Sequence, residues 1–440
     1  MRVRKRDVLR DRNAVLFVGI SLLSGFGGAV MSLVAGVWVM SLSGSSSLAA
    51  LAGFCVFVPT LVGPILGAAV DRFPRRPLLI WTNLLTAGAL LCLLAVGSAE
   101  QVWLIYVVML AYGAGVVLLD AGEAALLPAA LPAGALGDVN GLRMSAQEGM
   151  KLVAPLIGVG LFAWRGGRPV AVLTALVVTV TAGLYALIRS RPVPADSRSE
   201  QRTGQIRDGI RFLWLHPDLR VTVLIGSIAI AMSGFTTAAL YAVVTDDLHR
   251  PATFLGVLAS AQGALAILGG LLVGRMLDRY GELAVGALGS VLFAAGCAVR
   301  CVPWWPVTLV SSVVIGLGLP WTLVAATTAV QLRTPEGLVG RVAATANSLL
   351  FAPVAFAIPV GAVFVLVDHR LPLVIAATLC LVAGVLPVVP LGTRDRRLRP
   401  TSPAAHPAWP GKATPRPTQT PQSLPATSDG TGSGEEGRHR

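Results

Sequence analysis

From Asn13 to Val70 the chain carries no charged side chain. A bilayer-spanning helix needs about 20 apolar residues, so this window holds two. The polar stretch Ser41-Leu-Ser-Gly-Ser-Ser-Ser47 divides them. The same alternation of long apolar runs and short polar breaks continues along the chain. It predicts helices near 14–40, 48–70, 77–98, 102–128, 142–163 and 169–188. After a polar stretch, six more are predicted near 221–244, 252–273, 283–300, 305–331, 342–367 and 371–391. The expected fold class is therefore an all-α membrane protein with twelve transmembrane helices.

The polar segments divide the chain further. Residues 1–13 form a basic N-terminus, 14–188 a first six-helix bundle, 189–220 a central loop, 221–392 a second bundle and 393–440 a tail. The N-terminus MRVRKRDVLRDR resembles the start of a signal peptide, but the apolar run behind it is far longer than a cleavable one. A retained first helix is expected. The tail is rich in Pro, Ser, Thr and Ala and poor in large apolar residues; it is expected to stay disordered. Arginines cluster in alternate loops, at 2, 4, 6, 10 and 12, at 72, 75 and 76, through 189–220, at 275 and 279, and at 333 and 341. The positive-inside rule then predicts both termini and the central loop in the cytoplasm, in a bacterial-type cell membrane.

Composition excludes several functions. Hydrophobic residues make up 54% of the chain, charged residues 13%, and mean hydropathy is +0.73. A soluble protein of this length needs more charge on its surface. The net charge of +13 does not indicate nucleic acid, because the arginines sit at the ends of apolar segments. Cys55, Cys92, Cys297, Cys301 and Cys380 lie in or beside apolar runs without CxxC spacing, and the five histidines lack ligand spacing. Neither a metal nor a cofactor is expected, and without a GxxxxGK[ST] loop ATP is not the direct energy source.

The most informative pattern is a repeat. Gly63-Pro-Ile-Leu-Gly67-Ala-Ala-Val-Asp71-Arg72-Phe73 recurs as Gly270-Leu-Leu-Val-Gly274-Arg-Met-Leu-Asp278-Arg279-Tyr280, an offset of 207. Pro132-Ala-Gly134-Ala-Leu-Gly137 recurs as Pro335-Glu-Gly337-Leu-Val-Gly340, an offset of 203. Two homologous halves follow, an architecture that places a substrate site between bundles near the midplane. Gly63/Gly67 and Gly270/Gly274 are expected to bring helices into close contact.

Gly67-Ala-Ala-Val-Asp71-Arg72-Phe73-Pro74-Arg75-Arg76-Pro77 resembles the signature of the major facilitator superfamily, with Pro74 where that family has a glycine. Ser46-Ser-Leu, Pro59, Ala125-Leu-Leu-Pro128, Asn140-Gly-Leu and Gly340-Arg341-Val342 extend the resemblance to its twelve-helix exporters of the macrolide-efflux and enterobactin-exporter type. The resemblance implies alternating access, and a gate in which Asp71 faces the start of helix 11 near Arg341. By symmetry Asp278 would face the start of helix 5 near Arg143. Gly67, Arg72, Arg75, Arg76, Gly274 and Arg279 complete that motif. Gly149, Ala154-Pro155, Gly158 and Gly160 match in part the helix 5 signature of antiporters.

Charges inside spans are functional candidates. Asp120 and Glu123 on helix 4 are three apart, as are Glu148 and Lys151 on helix 5. Their depths suggest one cluster of four, in which full ionisation of three carboxylates is costly and one is expected to hold a proton. A fixed brace of ion pairs, a proton-coupling site and a contact for a cationic substrate are the readings open here. Trp38, Tyr112, Tyr241 and Trp321 are candidate cavity aromatics. The expected function is proton-coupled export of lipophilic or amphipathic small molecules by a monomer in the bilayer. A carrier dedicated to one metabolite or siderophore, and a non-transporting scaffold, are the alternatives.

Overall fold

The structure is a computed structural model that describes residues 11–63, 66, 73–132, 135–189, 202–335 and 338–387. Among them the chain is helical almost throughout. Helix α1 spans Arg12–Ser43, α2 Ser46–Leu61, α3 Arg75–Cys92, α4 Val102–Ala130, α5 Leu136–Arg165 and α6 Gly167–Leu187. A further helix, α7 (Arg202–Leu215), leads into α8 (Pro217–Phe235) and α9 (Thr237–Ala242), which ends in a π turn over Val243–Asp247. Helices α10 (Phe254–Val299), α11 (Trp305–Arg333), α12 (Val339–Val365) and α13 (Leu371–Val385) follow. The basic N-terminus, most of 189–201 and the tail 393–440 lie outside the described residues.

Local chemistry sets these boundaries. The Asp11 carboxylate caps α1 by accepting hydrogen bonds from the N–H groups of Asn13 and Ala14. Gly44, with φ 65°, closes the other end, and the Ser45 side chain caps α2. Prolines stand in the first turns of α8, α11 and α13, where a missing N–H costs nothing.

Eight described helices are each long and apolar enough to cross a membrane. One of them, α10, is 46 residues long and bends at Gly281 (φ 79°, ψ 166°). Its arms 254–280 and 282–299 make two crossings where the sequence suggested two helices and a loop. The shorter apolar α2 and α13, with the 30-residue, more polar α5, bring the crossings to twelve.

Three predicted boundaries need correction. Helix 5 starts at Leu136, six residues before the expected 142. Helix 7 starts at Pro217 and breaks at Thr236. The central loop is partly structured, since α7 lies inside it and buries Leu213 against the α8 and α12 core.

The sequence repeat returns as a repeat of contacts. Gly113 on α4 lies directly against the Val56 backbone of α2, and Gly316 on α11 lies directly against the Gln262 backbone of α10. The two glycines are 203 apart and their partners 206 apart. Gly158 on α5 fits against Val30 and Val34 of α1, while Gly361 on α12 fits against Phe235 of α8, again 203 apart. Each half is thus built by the same glycine-mediated approaches.

Polar groups pin one face of the molecule. The Asn13 side-chain amide donates to the carbonyls of Ala130 and Arg189, tying the ends of α1, α4 and α6 together. In the second half Arg333, at the end of α11, pairs with Asp218 at 3.2 Å and Glu282 at 2.8 Å, tying α8 and the α10 bend. This face, where α1 begins, is the basic face; the other is the far face.

Candidate functional site

Among the described residues the two halves meet at the far face, and α10 parts from α5 toward the basic face. On the far side the Tyr241 hydroxyl fills the place of a side chain at Gly36, joining α9 to α1. Val37, Met40, Ala49, Tyr241, Val244, Leu255 and Leu258 form one apolar cluster there. Ser47 donates to the Ala362 carbonyl at 2.8 Å, joining α2 to α12. Gly256, Gly263 and Gly270 are seven apart, so they share one face of α10. Gly256 lies against Val159 and Pro155 of α5, and Gly263 against Lys151 and Leu152, but a side chain at Gly270 or Gly274 would meet nothing within 4 Å. The close contact expected at Gly270/Gly274 is therefore absent in this conformation, because α10 has already splayed from α5.

A cavity of about 360 Å³ opens beside α4 and α5, lined by Asp120, Glu123, Ala124, Leu127, Pro128, Leu136, Asn140, Arg143 and Gln147. Its centre is an ion pair between Arg143 and Glu123 at 2.5 Å, with side chains 13% and 10% exposed. Arg143 also donates through Nε to Ser21 Oγ at 3.0 Å and through Nη1 to Asn140 Oδ1 at 3.1 Å. Its guanidinium stands 5.9 Å from the centre of the Phe17 ring. The Tyr185 hydroxyl neighbours Glu123, yet Glu123 Oε1 is buried and accepts no well-formed hydrogen bond. Asp120, one turn along α4, is exposed and has no ion pair among the described residues.

The four intramembrane charges do not form the single cluster that their spacing suggested. Lys151 pairs with Glu148 on its own helix at 2.6 Å, and both side chains are about half exposed, at 57% and 47%. They lie on the α5 surface near Gly263, not in the cavity with Asp120 and Glu123. Arg143 has also changed role. It is bound to Glu123, whereas Asp278 is exposed and without an ion pair among the described residues, so Asp278 and Arg143 are not paired here.

Gly67, Asp71 and Arg72 lie outside the described residues, as does the Arg341 side chain. Arg76 donates to the Ala186 carbonyl, Arg75 begins α3, and Arg279 lies 5.4 Å from the Tyr280 ring centre. The four candidate aromatics are buried in the helix cores. Trp38 meets Phe162 edge-on at 6.5 Å, Tyr112 belongs to the first-half core, Tyr241 fills the Gly36 notch, and Trp321 Nε1 donates to the Gly269 carbonyl at 3.0 Å. None of them lines the α4–α5 cavity.

Sequence reasoning missed Ser21 and Tyr185 as partners of the ion pair. Each is one of several hydroxyls in an apolar helix, beside Ser24 and Ser32 on α1 and Thr174, Thr179 and Thr181 on α6, a signal too weak to separate from ordinary core polarity.

The model of the Major Facilitator Superfamily matches residues 16–242 and 222–424. The chain belongs to this superfamily. It is a multi-pass membrane transporter for a small-molecule substrate. The multidrug efflux pump Tap of Mycolicibacterium fortuitum is 26% identical over 362 residues, covering 78% of this chain and 86% of that protein. Macrolide efflux protein A of Streptococcus pyogenes is 20% identical over 344 residues, covering 76% and 83%. Among solved structures, an inward-facing bacterial homologue of the iron transporter ferroportin aligns with a TM-score of 0.62 at 16% identity, over 86% of this chain and 98% of that one; it shares the fold.

Proposed function

We propose that this transporter exports lipophilic or amphipathic small molecules by alternating access, driven by protons moving inward. The observation that carries this reading is the buried Glu123–Arg143 pair beside the accessible Asp120, in a cavity on the basic face. Glu123 is compensated by Arg143 and Glu148 by Lys151, which leaves Asp120 as the carboxylate free to exchange a proton for a substrate. Its protonation removes the net negative charge of the Asp120–Glu123–Arg143 group. That change favours reclosing the basic face, since an uncompensated charge resists removal from water. The names of the curated relatives, multidrug and macrolide efflux pumps, support the direction.

In this reading the basic face is cytoplasmic, both termini lie inside, and the bundles 14–188 and 221–392 rock as a monomer. Asp71 and Asp278 with their arginines form the cytoplasmic gate, engaged when that face closes; Gly67 and Gly274 leave room for the approach, and Arg341 marks the start of helix 11.

The test is accumulation of a panel of fluorescent dyes and antibiotics in cells expressing the wild type, Asp120→Asn or Asp71→Asn, with and without a protonophore. Lower accumulation only with the wild type, abolished by the protonophore, is expected. A panel on which wild type and empty membrane behave alike would leave a carrier dedicated to one metabolite. Wild-type behaviour in Asp120→Asn would remove that carboxylate from the coupling.

A further inference from the structure

Helix α7 is not one of the twelve crossings, yet it ends at their boundary. Only His216 separates Leu215, its last residue, from Pro217, where the crossing helix α8 begins. His216 closes α7 by donating through Nδ1 to the Phe212 carbonyl at 2.8 Å, and its ring stacks on Phe212 with centres 4.0 Å apart. Trp214 and Leu215 therefore stand at the level where the bilayer begins on the basic face.

The surface of α7 is divided. Leu213 is buried in a cluster with Leu219 and Val223 of α8 and Val342 and Ala346 of α12. Ile210, Trp214 and Leu215 turn outward and are 42%, 52% and 65% exposed. Three large apolar side chains on so short a stretch are unfavourable in water and favourable in lipid. Tryptophan in particular is suited to the boundary between headgroups and acyl chains.

The charges around this apolar face are positive. Arg211 stands one turn before Trp214 and is exposed. The Arg220 guanidinium lies 5.5 Å from the centre of the Trp214 ring. Neither arginine has an ion pair among the described residues. The neighbouring Asp218 is engaged by Arg333 at 3.2 Å. From 189 to 220 the sequence carries seven arginines against four acidic residues, Asp196, Glu200, Asp208 and Asp218. Apolar surface at headgroup level, bordered by unpaired guanidinium groups, complements a lipid whose headgroup is an anion.

We propose that α7 is a binding surface for anionic phospholipid in the leaflet of the basic face. Arg211 and Arg220 receive the lipid phosphate, which suits their forked donors, and the acyl chains cover Ile210, Trp214 and Leu215. Because Leu213 joins α7 to the starts of α8 and α12, a lipid that holds α7 also braces those two helix ends. The inference does not depend on the direction of transport or on the coupling ion.

The experiment uses the full-length protein in phosphatidylcholine nanodiscs. A nitroxide-quenchable dye is attached at Leu215→Cys in a cysteine-depleted background, the apolar dye standing in for the leucine. Nitroxide-labelled phosphatidylglycerol and nitroxide-labelled phosphatidylcholine are titrated in separately, and the ratio of their quenching gives the preference. Wild type is expected to prefer phosphatidylglycerol at least fivefold. Arg211→Gln and Arg220→Gln are each expected to lower that preference by up to about fivefold, the effect of one basic residue near an anionic surface. The double variant should approach equal quenching, and Arg211→Lys should keep most of the preference. Arg165→Gln, which removes the arginine beside the exposed Trp164 at the far end of α5, should change nothing. Salt at about 1 M, where screening acts within about 3 Å, should weaken the wild-type preference. Phosphatidylglycerol should also raise the thermal midpoint of the wild type and not that of the double variant.

Equal quenching by the two lipids overturns the proposal and leaves an apolar face without headgroup selectivity. Quenching by neither overturns it too; recovery on deleting 395–440 would then make the tail the occupant, and recovery on diluting the protein a second copy. A wild-type preference in the double variant is equally fatal. Should that variant fail to fold, a preference that persists undiminished in high salt overturns the proposal on the wild type alone.

Discussion

The Lys151 carbonyl oxygen stands 2.8 Å from the point where a Gly263 side chain would begin. The two bundles touch there backbone to backbone, at the level where α5 and α10 begin to part. A larger residue at 263 must push α10 away from α5, and forcing extra atoms into a packed contact costs typically about 1–3 kcal/mol. Gly263→Leu is therefore expected to destabilise far-face closure and to slow transport about fivefold to a hundredfold. The check is thiol labelling from the far side of a Leu258→Cys probe in a cysteine-depleted background, since Leu258 is buried in the far-face cluster. Labelling should rise in Gly263→Leu while expression stays normal. Unchanged labelling and transport would mean that this contact does not hold the far face shut.

The Glu123–Arg143 pair is buried, so removing one partner strands the other. Breaking such a pair costs about 3–5 kcal/mol, whereas replacing both members is far milder. Arg143→Gln and Glu123→Gln are each expected to lower the thermal midpoint of the purified protein clearly. The double variant should be more stable than either single variant. A double variant whose loss equals the sum of the two single losses would show that the charges do not act as a pair.

The same pair marks how far the sequence could be read. Twelve crossings, two halves and the polar face were legible, because apolar run length and arginine position respond directly to the bilayer. The partner of Glu123 was not. Glu123 stands seven residues before the end of α4 at Ala130, and Arg143 seven residues after the start of α5 at Leu136. Both therefore lie about 10 Å deep at 1.5 Å per residue. A start at 142 puts Arg143 at the membrane edge and leaves Glu148 and Lys151 as the apparent partners. The polar first turns, Leu-Gly-Asp-Val-Asn-Gly, hid six residues of helix. The break at Thr236 and the π turn were also illegible, since no proline or glycine at 236 marks them.

Gly281 carries the reversal of α10 in a region of backbone space that only glycine occupies readily, at φ 79° and ψ 166°. Gly281→Ala is expected to cost about 1–3 kcal/mol. Asn often tolerates the left-handed helical region, but this ψ is not in that region. Gly281→Asn should accordingly be no better than alanine. Thermal midpoints of the two variants in detergent provide the comparison, and a clear recovery by asparagine would contradict the backbone assignment.

At the far face Asp247 ties the end of the helix 7 region to the turn before α13. Its carboxylate receives His369 Nε2 at 3.0 Å and Arg370 Nη2 at 3.3 Å, and its side chain is 11% exposed. Arg370 Nε is buried with no partner, so this guanidinium depends on Asp247. The tie matters beyond its own turn because Tyr241, six residues earlier, fills the Gly36 notch that joins the halves. Loss of the carboxylate removes the charge-assisted contacts to His369 and Arg370. Asp247→Asn is therefore expected to loosen the Tyr241–Gly36 contact, raising far-side labelling of the Leu258→Cys probe and lowering transport severalfold. His369→Gln keeps an N–H donor and the Arg370 contact, so its effect should be small. Labelling in Asp247→Asn that matches the wild type would confine the tie to the local turn. A His369→Gln effect as large as that of Asp247→Asn would make the histidine, not the arginine, the dominant partner.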